Sequence, residues 1–227
     1  DGRPNLLGDG LPVRLARVFG TPEVPGFGRT EAPTLAWLDR GRHRYDLTTD
    51  VALAAGVGPK LAGHAVVLFA GDAVWLPARL QRRLRAFVTR GGTLATVGVQ
   101  SFQREATLTP RSRLIDPTPP ATADAFGAKV GPVRPGRFDL TNATDEIDLF
   151  KGTSGRFLGY RSAEVTDGTR PKILASAVDA QGHVVIVAQQ VGRGTVIRFG
   201  LPQLPSRLRT DPDVQALLER TWQLLSR

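Results

Sequence analysis

The chain has 227 residues, of which 41% are hydrophobic, and its formal net charge is +9. This length and composition suit one large globular domain, with room for a substantial insertion, and no apolar run approaches the roughly 18–20 residues of a membrane-spanning helix. The absence of cysteine excludes disulfides, thiolate metal sites and a cysteine nucleophile in this chain.

The first half of the chain predicts alternating strands and helices. The predicted strands are 13–19, 44–47, 65–70 and 93–97, and the predicted helices are 31–40 and 79–90. Residues 65–70 form a continuous apolar run, which is typical of a strand buried on both faces. Leu80, Leu84, Phe87 and Val88 form one apolar stripe on the second helix. Short glycine turns between these elements indicate parallel crossovers.

The second half gives a weaker pattern before order returns. From about 105 to 171 the prolines, among them Pro132 and Pro135, indicate loops and short strands, so we interpret this region as an insertion. Strands 173–178, 184–188 and 195–199 follow, and their short glycine turns predict an antiparallel meander. A last helix begins after Asp211, the predicted cap, with Pro212 at its first position.

Together these elements predict an α/β fold with a flavodoxin-like three-layer parallel sheet, a β-rich insertion and a C-terminal antiparallel meander. We expect residues 1–227 to form a single domain. The chain contains no methionine, not even at its first position, so we also expect it to be excised from a larger protein.

Five segments carry a resemblance to a known family. They are 36–41 (AWLDRG), 45–50 (YDLTTD), 61–68 (LAGHAVVL), 86–94 (AFVTRGGTL) and 192–200 (GRGTVIRFG). With them the chain resembles the class I glutamine-amidotransferase-like superfamily, and most closely the C-terminal domain of the N,N-dimethylformamidase large-subunit family. The resemblance spans roughly 11–105 and 173–227, and its segments mainly maintain the fold.

The resemblance implies catalytic positions that this chain does not fill. Active amidotransferases carry a cysteine on the turn after a central strand, where this chain has Val99, Gln100 and Ser101. Their partner histidine and glutamate follow a late strand, but 200–205 contains neither. Of the dimethylformamidase-like stretch that includes iron-binding residues, only Trp75 has a counterpart here. We therefore expect no catalytic residue, no metal and no cofactor.

Five residues remain as candidates for binding a ligand at the ends of the predicted strands: Asp72, Trp75, Gln100, Ser101 and Gln203. Open α/β sheets bind ligands at the carboxyl ends of their strands. The alternative to ligand binding is a structural role in a turn. Asp72 would then bind local backbone N–H groups, and Ser101 would be an ordinary turn serine. Ser101 needs a base to act as a nucleophile. His43 and His64 precede their predicted strands and so lie at the opposite end of the sheet from Ser101. Only His183 remains a candidate for this base.

The remaining charged and glycine-rich motifs favour ordinary structural roles. The arginines are dispersed, which favours an arginine-biased composition over nucleic-acid binding. The acidic residues 145–148 do not have the spacing of a calcium loop. Gly136-Arg137-Phe138 and Gly155-Arg156-Phe157 place an arginine beside an aromatic residue, but two isolated copies are weak evidence for nucleic acid.

Three functions remain open. The first is a non-catalytic binding or structural module that contacts other domains of the same polypeptide. The second is a C–N bond hydrolase with an atypical site, and a deep pocket lined by carboxylates would favour it. The third is an arginine-driven nucleic-acid-binding module, which a contiguous basic groove would favour. The sequence indicates neither a compartment nor a ligand.

Overall fold

The computed structural model describes residues 7, 10–14, 26–169 and 171–225. Its helices are α1 (Glu31–Arg40), α2 (Asp50–Ala55), α3 (Ala78–Thr89), α4 (Leu204–Arg207) and α5 (Pro212–Leu225). Its strands are β1 (Val13–Arg14), β2 (Val66–Phe69), β3 (Trp75–Leu76), β4 (Thr93–Thr96), β5 (Arg104–Glu105), β6 (Thr107–Leu108), β7 (Arg113–Ile115), β8 (Ala128–Asp145), β9 (Arg156–Thr169), β10 (Ile173–Val178), β11 (Val184–Val191) and β12 (Gly194–Arg198). No helix among these residues is long and apolar enough to cross a membrane.

A seven-stranded mixed sheet forms the centre of the described chain, in the order β10-β8-β9-β11-β12-β4-β2. Only the pairings β2–β4 and β4–β12 are parallel. The others are antiparallel, and β10 also pairs with β11, so β8, β9, β11 and β10 form a closed, barrel-like unit. The prediction of a flavodoxin-like parallel sheet is therefore wrong.

The parallel part of the prediction holds locally. Strands β2 and β4 are neighbours in register, with Val66 opposite Thr93, and β12 pairs with the other edge of β4. The strand β4 is buried on both faces, because Leu94 packs with α3 and Ala95 packs with α1 and α5. The predicted helices at 31–40 and 79–90 are present as α1 and α3, and the meander β10-β11-β12 is antiparallel as predicted.

The region interpreted as an insertion contains the longest strands of the described chain. Strands β8 and β9 have 18 and 14 residues and pair along most of their length. Pro132 and Pro135, which indicated a loop, lie inside β8 next to shifts in register. Proline lacks the N–H that a regular ladder needs, and it is tolerated at such irregular positions. These two strands make the sheet mostly antiparallel.

Two predicted strands do not join the central sheet. Residues 44–47 form no strand, and their side chains are exposed, so the apolar residues there bury nothing. Of 13–19, only Val13–Arg14 lies in the described residues, and it pairs antiparallel with β7 in a separate small sheet. The rest of that prediction falls outside the described residues.

Candidate functional site

Three loops meet at the carboxyl edge of the parallel strands. Phe69 and Arg198 both lie opposite Thr96, so β2, β4 and β12 end at the same level. The loops that follow these strands are 70–74, 97–103 and 199–203. They carry four of the predicted ligand-binding residues, Asp72, Gln100, Ser101 and Gln203, whereas Trp75 begins the short strand β3 after the first loop.

The loop after β4 turns sharply because of its glycine and two strained positions. Gly98 lies so close to the neighbouring loop that a Cβ there would be 2.2 Å from the carbonyl carbon of Gly71. Gln100 and Phe102 have positive φ angles of 55° and 68°, which side-chain-bearing residues rarely adopt. Such strain persists only where the surroundings enforce it, and it is concentrated at functional sites.

Ser101 is part of the internal structure of this loop. Its side chain is 2% exposed. Its hydroxyl accepts a hydrogen bond from the Ala73 N–H at 3.2 Å and lies 3.1 Å from the Thr96 hydroxyl. It also lies 3.4 Å from the carbonyl oxygen of Val99. The hydroxyl thus binds the two loops to each other and has no basic partner in the part of the chain that the structure describes.

Two carboxylates bind the backbone N–H groups of the turn. Asp72 accepts from the Val99 N–H at 2.7 Å, and Glu164, which lies on β9, accepts from the Gln100 N–H at 2.5 Å. Gln103 also contacts Glu164, at 3.4 Å. Asp72 therefore binds a backbone N–H group, as the turn interpretation expects, but this group belongs to a second loop.

Burial dominates the electrostatics of both carboxyl groups. It raises the pKa of Glu164 to about 7; the bond from Gln100 and the charge of Arg198 oppose this rise. It also raises the pKa of Asp72, against the hydrogen bond from Val99, and the charge of Glu31 raises it further. Removing a carboxylate from water disfavours its ionised form, so both groups hold protons more strongly than usual.

Trp75 and Gln203 contact protein groups on either side of this loop cluster. The guanidinium of Arg104 lies 5.4 Å from the centroid of the Trp75 ring. Gln203 donates to the Ser162 hydroxyl at 2.7 Å and accepts from the Arg161 N–H at 3.3 Å. Gln203 therefore connects the loop after β12 to β9, two residues from Glu164.

A buried ion pair beneath the turn was missed by the sequence analysis. Arg198, at the end of β12, pairs with Asp124, and both side chains are almost completely buried. The guanidinium lies against two rings that also contact each other, 5.3 Å from the centroid of Phe102 and 5.8 Å from that of Phe126. A charged residue inside an apolar strand requires a buried partner. The position of Arg198 in the apolar strand of segment 192–200 therefore indicated that a buried acidic partner exists. Nothing in the sequence identified Asp124 as that partner.

The three histidines contact carboxylates away from the turn. His43 lies 3.3 Å from Glu219, His64 lies 2.9 Å from Asp46, and His183 lies 3.0 Å from Asp179. Within the residues that the structure describes, no group of three or more histidine, aspartate or glutamate side chains could hold a metal ion.

Several arginines bind backbone carbonyl groups. On α3, Arg83 donates to the Leu53 carbonyl and Arg85 to the Ala125 carbonyl. Arg193 donates to the carbonyl of Arg90 at 2.9 Å. These guanidinium groups connect α3 to α2 and to neighbouring loops, which gives part of the positive charge a structural role.

The fold is similar to that of several solved structures. A ThuA-like protein from Bacteroides uniformis aligns over 90% of this chain and 87% of its own, with a TM-score of 0.59 and 11% identity. A cytoplasmic protein from Salmonella typhimurium aligns over 86% and 87%, with a TM-score of 0.58 and 11% identity. A β-galactosidase from Bacillus circulans sp. alkalophilus gives a TM-score of 0.51 at 15% identity over 78% of this chain, which spans 26% of the enzyme.

These comparisons correct the resemblance drawn from the sequence. They show a likeness of fold to a ThuA-like protein and show no link to N,N-dimethylformamidase. The narrower resemblance is therefore wrong. No protein-family model matches the chain, and no curated protein matches it in sequence.

Proposed function

We propose that this chain is a glutamine-amidotransferase-like domain that does not catalyse acyl transfer and acts as a binding or structural module. The main support is the state of the loop after β4. Acyl transfer needs an activated nucleophile and free backbone N–H groups that stabilise the oxyanion. Here the Val99 and Gln100 N–H groups are bound by the carboxylates of Asp72 and Glu164.

The serine on the same loop supports this proposal. Ser101 is buried, and its hydroxyl is engaged by Ala73 and Thr96. A nucleophile must be accessible and must have a base within hydrogen-bond reach, roughly 2.6–3.2 Å. Gln100, at the strained position of the turn, offers an amide, which is neither a nucleophile nor a base at neutral pH.

One observation favours the hydrolase alternative, namely the two carboxyl groups of raised pKa near the turn. A general acid or base with a pKa near 7 suits catalysis. However, the Glu164 residue is 5% exposed, and its carboxylate already binds Gln100 and Gln103. Two surface depressions of the described residues, one lined by residues 12 and 109–115 and the other by 136–137 and 159–161, do not include this loop.

Two measurements on the purified chain test the proposal. We expect no labelling of Ser101 by a fluorophosphonate probe, and no release of ammonia from glutamine or simple amides above the buffer rate. Labelling that Ser101→Ala abolishes would overturn the proposal. So would ammonia release that Glu164→Gln abolishes while Glu146→Gln, a change at an exposed glutamate, leaves it intact.

A further inference from the structure

The hairpin of β8 and β9 contains two adjacent irregularities, away from the turn after β4. A shift in register leaves Gly136 and Arg137 opposite the single residue Arg161. A second shift leaves two residues of β9, the second of them Gly159, opposite Asp139. Such bulges redirect side chains and are frequent beside binding sites. Here they place two arginines of neighbouring strands around one depression.

This depression has a volume of about 510 Å³ and is shallow and widely open to solvent. Its lining consists of Gly136, Arg137, Gly159, Tyr160 and Arg161. Both glycines have positive φ angles, 147° and 71°, so the bulges depend on them. Without side chains at these two positions, a ligand can approach the backbone closely.

The arginines around the depression differ in how they are paired. Arg161 is exposed, and its side chain has no ion pair or hydrogen bond within the described residues. Arg137 is 80% exposed and lies 3.1 Å from Asp139. A third guanidinium, that of Arg207 on α4, stacks 3.9 Å from the centroid of the Tyr160 ring. It donates to the Leu158 carbonyl at 2.6 Å, which fixes its position.

Tyr160 provides a rigid floor with a polar group. Its side chain is fully buried and packs against the guanidinium of Arg207. Burial raises the pKa of its hydroxyl, so Tyr160 stays neutral at physiological pH. The acidic groups nearby are Asp139, which binds Arg137 and the Gly159 N–H, and Asp211, which lies 3.7 Å from Arg207. Neither binds Arg161, whose charge is uncompensated.

We propose that this depression binds the oxyanion group, phosphate or carboxylate, of a small organic ligand. Guanidinium groups recognise such groups through paired, charge-assisted hydrogen bonds. Arg161 is available for this contact, Arg137 can exchange Asp139 for a ligand, and the stacked Arg207 holds the Tyr160 floor in place. This proposal does not depend on the turn after β4, so its failure leaves the proposed function standing.

The test is a titration of the whole chain followed by the amide resonances of Gly136 and Gly159. Inorganic phosphate and acetate are compared with chloride at equal ionic strength. We expect these resonances to shift saturably with phosphate or acetate and not with chloride. The anion that binds more tightly identifies the oxyanion group of the ligand. Arg161→Gln should weaken the binding at least tenfold, because it removes a charge-assisted contact.

A matched variant separates this contact from general charge effects. Arg134→Gln, on the same strand as Arg137, removes a charge that pairs with Asp167 at 3.9 Å outside the depression, and it should leave the affinity unchanged. Because Arg161 and Arg134 are on the surface, both variants should keep the dispersed spectrum of the folded chain. Non-saturating shifts with both anions, or equal weakening by the two variants, would overturn the proposal.

Discussion

The carboxylate of Glu164 accepts a hydrogen bond from the backbone N–H of Gln100 at 2.5 Å, across 64 residues of sequence. Glu164 lies on a strand of the barrel-like unit, whereas Gln100 lies on the turn after a parallel strand. The N–H of Glu164 also donates to the Gly200 carbonyl, at 2.7 Å. One residue thus connects the two halves of the fold at the candidate site.

The first prediction concerns the pH dependence of stability. Burial raises the pKa of Glu164 from 4.5 to about 7, so the folded state holds this proton more tightly than the unfolded state does. This carboxyl group should therefore lower the free energy of unfolding by about 3 kcal/mol as the pH rises from 4.5 through 7. Glu164→Gln, which cannot ionise, should remove this contribution, so its stability should fall less steeply with pH than that of the wild type. Urea unfolding of both proteins between pH 4 and 8 measures it.

The exposed Glu146 provides a control for this experiment. It pairs with Lys172 on the surface, so Glu146→Gln should follow the wild-type curve closely. If the Glu164→Gln and wild-type curves run parallel between pH 4.5 and 7, the Glu164 carboxyl group does not have a raised pKa.

The second prediction concerns the close approach of two loops. In Gly98→Ala the new methyl group would lie 2.2 Å from the backbone of Gly71, and backbone atoms move only at high cost. We expect a loss of about 3 kcal/mol or more in the free energy of unfolding, at the upper end for overpacking. Gly28→Ala is the control, because no atom lies within 4 Å of the added group, and its effect should stay within about 0.5 kcal/mol. Equal effects of the two substitutions would contradict the close approach.

The sequence predicted the elements whose hydrophobic pattern is local. The apolar run at 65–70 and the apolar stripe on α3 each show locally which residues face the core. Both elements, β2 and α3, are present in the structure. Strands β8 and β9 gave no such signal, because bulges at Pro135 and Gly159 interrupt their alternation. Their pairing depends on contacts between residues distant in the chain. The error in fold class therefore arose in the region where local pattern is weakest.

The same distinction applies to the candidate site. Asp72, Gln100 and Ser101 could be named from sequence because each follows a predicted parallel strand, and such strands end at one edge. Glu164 lies in the middle of an antiparallel strand, between Ala163 and Val165, where nothing local distinguishes it. Its role depends on the pairing of β9 with the rest of the sheet, which the sequence analysis did not predict.

The third prediction concerns Ser101 as a structural residue. Ser101→Ala removes the acceptor of the Ala73 N–H inside the protein, and an unsatisfied buried donor costs about 1–3 kcal/mol. We expect a loss of that size in thermal or urea unfolding. Ser206→Ala is the matched control, because the Ser206 hydroxyl donates to the Gln203 carbonyl at an exposed position of α4, and its effect should be small. An unchanged stability of Ser101→Ala would show that its hydroxyl does not hold the two loops together.

The fourth prediction concerns the buried pair of Arg198 and Asp124. Arg198→Met keeps a side chain of similar length against the Phe102 and Phe126 rings but leaves the carboxylate of Asp124 buried without its countercharge. Breaking such a pair costs about 3–5 kcal/mol, which urea unfolding at pH 7 should detect.

The double variant Arg198→Met with Asp124→Asn separates the lost charge from lost packing. The amide oxygen of the asparagine that replaces Asp124 can still accept from the N–H groups of Phe126 and Ala128, which Asp124 binds at 2.8 and 3.0 Å. The double variant leaves no charge buried at this position. We therefore expect the double variant to recover at least half of the loss. Arg134→Met, at an exposed pair with Asp167, should cost less than about 1 kcal/mol. If the double variant is no more stable than Arg198→Met, the cost is one of packing and Asp124 is not a buried anion.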